Sequence, residues 1–420
     1  MTTQSFLVIV HPYPPTPSSG AHRWGAIVKY LRRAGHDVRV VTSGAFGALD
    51  PEQERGVTRT ADLMASARLR RLAGIAPLAA PDGRAGPGAG ADPELPAVLT
   101  RVLVPDAFLA SWAPMALRAA WRSLRERPAD CVITSSPNES THLVGLALRR
   151  RLGHAWIADL RDGWTFERFL PEFPTAAQRS LNRALERRAL TGADAVMAAT
   201  EPIAADLRGR LGIDVAHVPN AWDPDLDAGI APPEPHDGAG VELVHTGKLS
   251  GGWGRDPRPL LHGLRRVLDE QPGRLRLKLA GRLDEEDARL IAEAGLGDAV
   301  EHVGQLGRAE AVRLQRGAGV LLLVTSRHSG EATGKLFEYL SSGRPILAVG
   351  GMNEAARIVT ETGTGVAVDS RDEEAVAAAL RTAASGRLPY APRGLERYRY
   401  PWPAERVSEL AEVAAARRGR

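Results

Sequence analysis

The sequence predicts an α/β protein made of two doubly wound domains, each built on a parallel sheet. Two observations lead to this prediction. Short β-rich runs alternate with longer helical patterns along the whole chain, and the series of runs begins again after a stretch rich in proline and glycine. A chain of 420 residues is also long enough for two or three domains with sizeable cores, so a two-domain enzyme is expected.

The predicted strands are short apolar runs. In chain order they are FLVIV, DVRVVT, DCVITSS, AWIADL, DAVMAAT and DVAHVPN in the first half, and VELVHTG, LRLKLAG, AVEHVG, GVLLLVTS, RPILAVG and GVAVD in the second. Ligands of such sheets bind beyond the carboxyl ends of the strands. We therefore expect a ligand cleft between the two domains, with binding residues on the loops that follow the strands.

Composition sets the predicted domain boundaries. We expect an N-terminal domain over 1–222, a linker over 223–240 that contains the Pro/Gly stretch APPEPHDGAG, and a C-terminal domain over 241–401. The helix predicted over 402–420 is expected to cross back to the first domain. A second low-complexity stretch, APDGRAGPGAGADPELP, predicts a loop inside the first domain.

Charge and cysteine content exclude several classes of protein. The net charge of +4 is too diffuse to indicate nucleic-acid binding. The single cysteine, Cys131, predicts a small buried side chain and leaves no disulfide framework. The first residues carry no basic leader before a short apolar run, which predicts a cytoplasmic protein. Basic helical segments such as LRERP and LRRRLG leave two interpretations open, peripheral membrane contact and a solvated helix face.

Two loops that follow predicted strands carry candidates for anion binding. In HPYPPTPSSGAHRWG, Gly20 precedes a helix whose free N–H groups suit an anion, although a tight turn explains the glycine equally well. In VHTGKLSGGWGRDPRPLL, Lys248 and Arg255 lie on the loop that enters the next helix. An ammonium and a guanidinium together suit a diphosphate, and solvation at the surface is the alternative.

A third loop, in SGEATGKLFEYLSSGRPILAVGG, superficially resembles a nucleotide-triphosphate loop. It lacks the spacing of one, because three residues separate Gly330 from Gly334 and a leucine follows the lysine. Thr333 and Gly334 lie near the predicted helix start, where backbone donors bind phosphate. Lys335 and Glu338 share a face of that helix, and a carboxylate such as Glu338 suits the vicinal hydroxyls of ribose. A salt bridge between the two side chains is the alternative.

Together these motifs resemble the retaining, family-four type of GT-B glycosyltransferases over nearly the whole chain. The matching pieces, in order, are PYPPTPSSGAHR, DLRDGW, VPNAWDPD, HTGKLS followed by GRDP, and SGEATGKLFEYLSSGRPILAV. The resemblance implies a GT-B architecture, in which two Rossmann-like domains face a cleft and the C-terminal helix crosses back. It also implies transfer of a sugar from a nucleotide diphosphate donor.

The resemblance implies roles for individual residues as well. Lys248 and Arg255 would bind the diphosphate of the donor. Glu338 would bind the ribose, and Glu331 would contact hydroxyls of the sugar. The remaining donor-binding positions would be Gly20, Gly247, Thr333, Gly334 and Lys335. The two glutamates are seven positions apart here, whereas the acidic pair of the family is usually one position wider.

The first domain contributes fewer candidates. Relatives often place a histidine after the fourth strand, and in TSSPNESTHLVG either Glu139 or His142 could fill that place. A helix residue without a catalytic role explains His142 equally well. In DLRDGW, Asp162 is a candidate to hydrogen-bond an acceptor hydroxyl, whereas Asp159 paired with Arg161 would only brace the loop.

The sequence therefore predicts a retaining, metal-independent transfer of a sugar from a UDP- or GDP-linked donor to an acceptor hydroxyl. The acceptor would be a glycan precursor, a lipid-linked sugar or a small metabolite. No cofactor is expected, and the acidic run DPDLD is assigned to the linker rather than to a metal site. In the family the departing phosphate assists the acceptor proton, so no strong protein base is expected. The alternatives are a nucleotide-sugar epimerase of the same fold and a non-catalytic protein that binds nucleotide sugars.

Overall fold

The computed structural model describes residues 3–16, 18–63, 101–167, 172–231, 240–251 and 254–418. The chain divides into two compact units, the first comprising Met1–Pro219 with Tyr400–Arg420 and the second comprising Asn220–Arg399. Each unit is a parallel sheet with connecting helices, which confirms the predicted α/β class and the two-domain architecture.

The first unit contains a seven-stranded sheet among the described residues, with strand order β3-β2-β1-β4-β5-β6-β7. The strands are β1 (Ser5–Val10), β2 (Asp37–Ser43), β3 (Val57–Thr60), β4 (Cys131–Ser136), β5 (Ala155–Leu160), β6 (Ala195–Ala198) and β7 (Val215–His217). Every neighbouring pair is parallel. The strand order reverses between β1 and β4, which is the point where doubly wound sheets bind ligands.

In the described part of the first unit, six helices join these strands. They are α1 (Ser19–Arg33), α2 (Phe108–Ser111), α3 (Ala113–Glu126), α4 (Ser140–Leu152), α5 (Ala176–Leu190) and α6 (Glu201–Leu211). Ser18 caps α1 by accepting a hydrogen bond from the backbone N–H of Ala21 at 3.2 Å. A left-handed glycine ends α4 at Gly153 and α6 at Gly212, where φ is 68° and 66°.

Within the ranges that the structure describes, the second unit contains a six-stranded sheet with the order β10-β9-β8-β11-β12-β13. The strands are β8 (Val241–Thr246), β9 (Leu275–Ala280), β10 (Val300–Gly304), β11 (Val320–Val324), β12 (Ile346–Gly350) and β13 (Gly365–Asp369). The continuous apolar run of β11 is buried on both faces, as a central parallel strand requires. The strand order reverses between β8 and β11, so this pair marks the switch point of the second sheet.

Six helices lie in the described residues of the second unit, and a seventh, the C-terminal helix α13, belongs to the first unit. They are α7 (Arg258–Glu270), α8 (Glu285–Glu293), α9 (Arg308–Gly317), α10 (Gly334–Ser342), α11 (Glu354–Glu361), α12 (Glu373–Ala384) and α13 (Trp402–Arg418). In α13, Ser408 Oγ donates a hydrogen bond to Gln4 Oε1 at 2.6 Å. The C-terminal helix thus returns to the first unit, as predicted.

The predicted linker is only partly described. The loop predicted from APDGRAGPGAGADPELP lies outside the described residues, as does most of APPEPHDGAG. Asp227, from the acidic run DPDLD, is buried and accepts a hydrogen bond from Arg308 at 2.7 Å, which ties this run to the second unit. Among the described residues there is no cluster of side chains suited to a metal ion. The described helices include none that is both long and apolar enough to cross a membrane.

Candidate functional site

The centre of the candidate site is Lys335, which lies across Gly247 at the carboxyl edge of β8. Lys335 Nζ donates a hydrogen bond to the backbone oxygen of Lys248 at 3.0 Å. An ideal Cβ added at Gly247 would lie 2.4 Å from Lys335 Cε, and Gly247 has a φ of 95°. Glycine is therefore required both for the backbone turn and for the approach of the lysine.

Burial sets the charge state of Lys335. Loss of solvation and, to a smaller extent, the neighbouring charge of Arg255 lower the pKa of its ammonium to about 8. The carboxylates of Glu338, Glu331 and Asp287 oppose this shift but do not cancel it. The site thus holds a cation that an incoming anion would stabilise.

His245, in β8, shapes the same loop and was missed by the sequence analysis. The ring is fully buried, with Nδ1 3.0 Å from the backbone oxygen of Leu322 and Nε2 3.1 Å from that of Lys248. Burial, together with the charge of Lys335, lowers the pKa of His245 to about 3. A neutral imidazole carries one N–H, so His245 donates to only one of these two carbonyl oxygens.

The N-terminus of α10 lies directly before Lys335 in the chain. Thr333 occupies the cap position with extended backbone angles, φ −70° and ψ 156°, but its side chain does not cap the helix. Its buried Oγ1 has no hydrogen-bond partner among the described residues. The first backbone N–H groups of a helix carry partial positive charge, so this end of α10 and Lys335 both favour an anion.

The two basic residues of the β8–α7 loop are each paired with a carboxylate. Arg255 Nε lies 2.9 Å from Glu331 Oε1, and this pair is largely buried. Lys248 Nζ lies 2.8 Å from Asp284 Oδ2, and its side chain is about half exposed. The ammonium of Lys248 lowers the pKa of Asp284 below its usual value. Glu331 also accepts a hydrogen bond from the backbone N–H of Ser326.

Glu338 has polar partners other than the lysine three residues before it. Its nearest polar partners are Gln315 Nε2 at 3.4 Å and Arg308 Nη1 at 3.8 Å. No ion pair joins Glu338 to Lys335 in the described part of the chain, so the alternative of an i,i+3 salt bridge does not apply. With 41 % of its side chain exposed, the carboxylate is free to accept from a ligand.

A small cavity adjoins Gly247. It lies beyond the carboxyl ends of β8 and β9 and beside β10, and it is lined by Gly247, Leu249, Leu279, Ala280, Gly281, Arg282, Leu283 and His302. His302 Nε2 lies 2.8 Å from the backbone oxygen of Gly281, which holds the imidazole at the rim. The cavity therefore combines an apolar floor with two polar side chains.

In the first unit, the predicted anion site at Gly20 is covered by an arginine. An ideal Cβ at Gly20 would lie 1.7 Å from Arg161 Nη1, so the guanidinium packs against the first turn of α1. Arg161 Nη2 also lies 3.2 Å from Asp162 Oδ2. The predicted pairing of Asp159 with Arg161 is wrong: Asp159 is fully buried and binds Arg23 Nη2 at 3.1 Å.

His142 lies in the core of the first unit. Trp156 Nε1 donates to Thr134 Oγ1 at 2.8 Å, and Thr134 Oγ1 lies 2.9 Å from His142 Nδ1. The ring stacks on Trp164 with centroids 5.8 Å apart. Burial lowers the pKa of His142 to about 4, so the imidazole is neutral at physiological pH.

Glu139 lies beside a second carboxyl group at the start of α4. Asp106 Oδ2 accepts a hydrogen bond from the backbone N–H of Ser140 at 2.7 Å, and the Asp106 carboxyl is also hydrogen-bonded to the side chain of Glu139. Burial raises the pKa of Asp106 above its usual value.

The two units match two families of known domains. Residues 20–221 match the family described as "Glycosyl transferase 4-like domain", and residues 241–385 match "Glycosyl transferases group 1". The chain belongs to the family-four type of GT-B glycosyltransferases. Lys335, Arg255 and Glu338 thus lie within the group 1 domain of a glycosyltransferase, and Glu139, His142 and Asp162 lie within its 4-like domain.

Solved structures share the fold of this glycosyltransferase at low sequence identity. Sucrose-phosphate synthase from Thermosynechococcus elongatus is 19 % identical, with a TM-score of 0.62 over 98 % of this chain and 99 % of that one. The Anabaena protein HepE in complex with UDP-glucose is 14 % identical, with a TM-score of 0.58 over 97 % and 99 %. A putative UDP-N-acetylglucosamine 2-epimerase from Listeria monocytogenes is 13 % identical, with a TM-score of 0.54 over 98 % and 96 %. No curated protein sequence matches the chain significantly.

Proposed function

We propose that this glycosyltransferase moves a sugar from a nucleotide diphosphate donor to an acceptor hydroxyl, with retention at the anomeric carbon and without a metal ion. The observation that carries the proposal is the convergence of Lys335, the Lys248 loop and the first turn of α10 over Gly247. Negative charge grows on the diphosphate as its bond to the sugar breaks. Fixed positive groups stabilise the transition state best at that moment.

This arrangement assigns protein groups to each part of the nucleotide-sugar donor. Lys335 and the N–H groups of α10 bind the phosphates, and Lys248 exchanges its exposed partner Asp284 for a phosphate oxygen. The half-exposed carboxylate of Glu338 accepts from the two ribose hydroxyls. The base lies outside the small cavity beside Gly247, where Arg282 and His302 supply polar contacts at the rim. HepE, which shares the fold, was solved with UDP-glucose, and this supports a donor of that class.

The environment of Glu331 argues against a covalent bond between this carboxylate and the sugar. A carboxylate that forms a covalent bond to the sugar must have a free oxygen, whereas Glu331 is buried and bound by Arg255 and by the backbone of Ser326. We therefore assign Glu331 to positioning Arg255 and the sugar hydroxyls. With retention, attack occurs on the face from which the diphosphate leaves.

Thermal stabilisation by nucleotides tests the donor site directly. We would measure the Tm of the protein with UDP, GDP, ADP and dTDP in the presence of EDTA, for the native chain and for Glu338→Ala. Glu293→Ala removes an equally charged, exposed side chain of α8 and serves as the matched control. One nucleotide is expected to raise the Tm of the native protein and of the control but not of Glu338→Ala. No stabilisation of the native protein by any nucleotide would contradict the proposal.

Transfer and its stereochemistry need a second measurement. The donor that carries the stabilising nucleotide is incubated with a panel of acceptors, and the anomeric proton of the product is followed by NMR. A product with the configuration of the donor supports retention, whereas the opposite configuration contradicts it. Formation of an epimer of the donor sugar in the absence of any acceptor would instead favour the epimerase, the alternative that the similarity in fold to the Listeria epimerase raises.

A further inference from the structure

A buried glutamine contacts the carboxylate that the proposed function assigns to the ribose. Gln315 lies in α9, and only 2 % of it is exposed. Its Nε2 donates to Thr246 Oγ1 at 3.0 Å and to Glu338 Oε2 at 3.4 Å. An ionised carboxylate only accepts, so the nitrogen of the amide, rather than its oxygen, must face Glu338. These two contacts give the amide a single orientation.

The partner on the other side of the amide is fixed as well. Thr246 is the last residue of β8, directly before Gly247. Its backbone N–H and its hydroxyl both donate to the Tyr339 hydroxyl, at 2.9 and 3.3 Å. Burial raises the pKa of Tyr339 to about 12, so this phenol is neutral. Because the Thr246 hydroxyl donates to Tyr339, its lone pairs are left to accept from Gln315.

An arginine approaches the other oxygen of the Glu338 carboxylate without reaching it. Arg308 Nη1 lies 3.8 Å from Glu338 Oε1, whereas Arg308 Nη2 lies 2.7 Å from Asp227 Oδ1. Asp227 is buried, and its second oxygen accepts from Ser341 Oγ at 3.2 Å. An arginine in full contact with a carboxylate forms two parallel hydrogen bonds and engages both oxygens. Asp227 thus holds the guanidinium and Gln315 holds the carboxylate, and the two charged groups stay apart.

This separation keeps both oxygens of Glu338 accessible to a ligand. Each carboxylate oxygen offers about two acceptor positions, and Gln315 uses one of those on Oε2. The 2′- and 3′-hydroxyls of ribose are neighbours, so a carboxylate with both oxygens accessible accepts from the two of them at once. A 2′-deoxyribose lacks one of these donors. The contacts around Glu338 therefore favour ribose over 2′-deoxyribose.

We propose that Gln315 positions Glu338 for both ribose hydroxyls and thereby restricts the donor to sugars linked to ribonucleoside diphosphates. This inference rests on the proposed function, which assigns Glu338 to the ribose. Without the amide, the carboxylate turns toward Arg308, closes the gap to the guanidinium and loses its position for the 2′-hydroxyl. Gln315 acts through Glu338 and does not touch the donor, so it is a positioning residue. All of these residues belong to the second unit.

Pairs of nucleotides that differ by one hydroxyl isolate the ribose contact. We would titrate the native protein calorimetrically, in the presence of EDTA, with UDP, GDP and ADP and with the 2′-deoxy form of each. The ribonucleotide that binds best is expected to bind about 10- to 100-fold more tightly than its 2′-deoxy form, which is the contribution of one hydrogen bond to a charged group. Gln315→Leu should weaken binding of the ribonucleotide, leave the 2′-deoxy form nearly unaffected and so lose most of this ratio.

The control variant is Gln4→Leu, which changes a buried glutamine of the first unit whose Nε2 donates to the backbone oxygen of Ser408. It is expected to lower stability and to keep the native ratio. A ratio of two affinities on one variant does not change with a general loss of stability, so it separates positioning from packing. Asp227→Asn leaves Gln315 in place but releases Arg308. It should lower the ratio in the same direction, and it replaces Gln315→Leu in the test if that variant does not fold.

The outcomes distinguish this inference from the proposed function. If the native protein binds a ribonucleotide and its 2′-deoxy form equally, the inference is wrong while nucleotide binding still supports the proposed function. The same conclusion follows if Gln315→Leu, or Asp227→Asn in its place, keeps the native ratio, or if Gln4→Leu loses as much of it. If the native protein binds none of the six nucleotides, the proposed function fails and the inference fails with it.

Discussion

Arg255 and Glu331 form a largely buried ion pair, with Nε 2.9 Å from Oε1 and with 15 % and 4 % of the two side chains exposed. They lie on loops that follow different strands of the second sheet, so the pair ties the β8–α7 loop to the loop before α10. Buried pairs of this kind contribute little net stability while both partners are present. Removal of one partner is costly, because the other charge stays buried without compensation.

We therefore expect Arg255→Met to lower the free energy of unfolding by about 3 kcal/mol. The double variant Arg255→Met with Glu331→Met should lose much less, since no unpaired charge remains. Urea unfolding of the two single variants and the double variant gives the coupling energy. Additive losses would show that the pair does not exist in solution.

The pKa of Lys335 predicts how nucleotide binding depends on pH. Burial lowers this pKa to about 8 from its usual value of 10.5. Between these two values the unfolded chain binds a proton that the folded chain does not, so this lysine makes the protein more stable as pH rises from 8 to 10.5. Bound diphosphate favours the ammonium, so nucleotide affinity should be constant below pH 8 and fall above it.

Calorimetry measures this linkage as proton uptake. Titration with the stabilising nucleotide at pH 8.5, in buffers of different ionisation enthalpy, should show uptake of a proton by the native protein and none by Lys335→Met. Equal uptake by both proteins would assign the proton to another group.

The strands of the two sheets were predictable because most of them are continuous apolar runs. A run such as VLLLV in β11 is buried on both faces, and this is the pattern that central parallel strands require. β3 was missed because it is a four-residue edge strand, VTRT, in which a charged side chain interrupts the apolar pattern. Edge strands need less apolar surface, and their sequences therefore carry a weaker signal.

The residues of the candidate site were predictable only where the sequence contains a recognisable motif. The segment from Thr333 to Glu338 predicts a helix start next to a lysine. Nothing in this segment indicates that Lys335 lies across Gly247, because the two residues are 88 positions apart in the sequence. His245 looks like an ordinary residue of a buried strand. His11 Nε2 lies 2.8 Å from Asp62 Oδ2, and this contact depends on the strand order β3-β2-β1, which the sequence does not state.

Gly247 gives a test of the close approach of Lys335. Gly247→Ala would place a methyl group 2.4 Å from Lys335 Cε and would strain a backbone with a φ of 95°. We expect a loss of about 1–3 kcal/mol in the free energy of unfolding from the backbone conformation, together with weaker nucleotide binding because the lysine must move. Gly273→Ala, at a φ of 73° with no atom within 4 Å of the new Cβ, is the matched control. It should lose stability without losing nucleotide affinity, and equal affinity losses in both variants would contradict the prediction.

His142 should make the protein sensitive to acid. Its pKa is about 4 in the folded chain and 6.5 in a solvated histidine. Between these values the unfolded chain binds a proton that the folded chain excludes, so the stability present above pH 6.5 is lost as the pH falls toward 4. From pH 7 to pH 5 this one side chain lowers the free energy of unfolding by about 2 kcal/mol, because each pKa unit corresponds to about 1.4 kcal/mol.

Urea unfolding at pH 7 and pH 5 should show a smaller loss of stability for His142→Gln than for the native protein. The exposed control His262→Gln should keep the native loss, and an unchanged pH dependence in His142→Gln would show that the ring is not buried neutral.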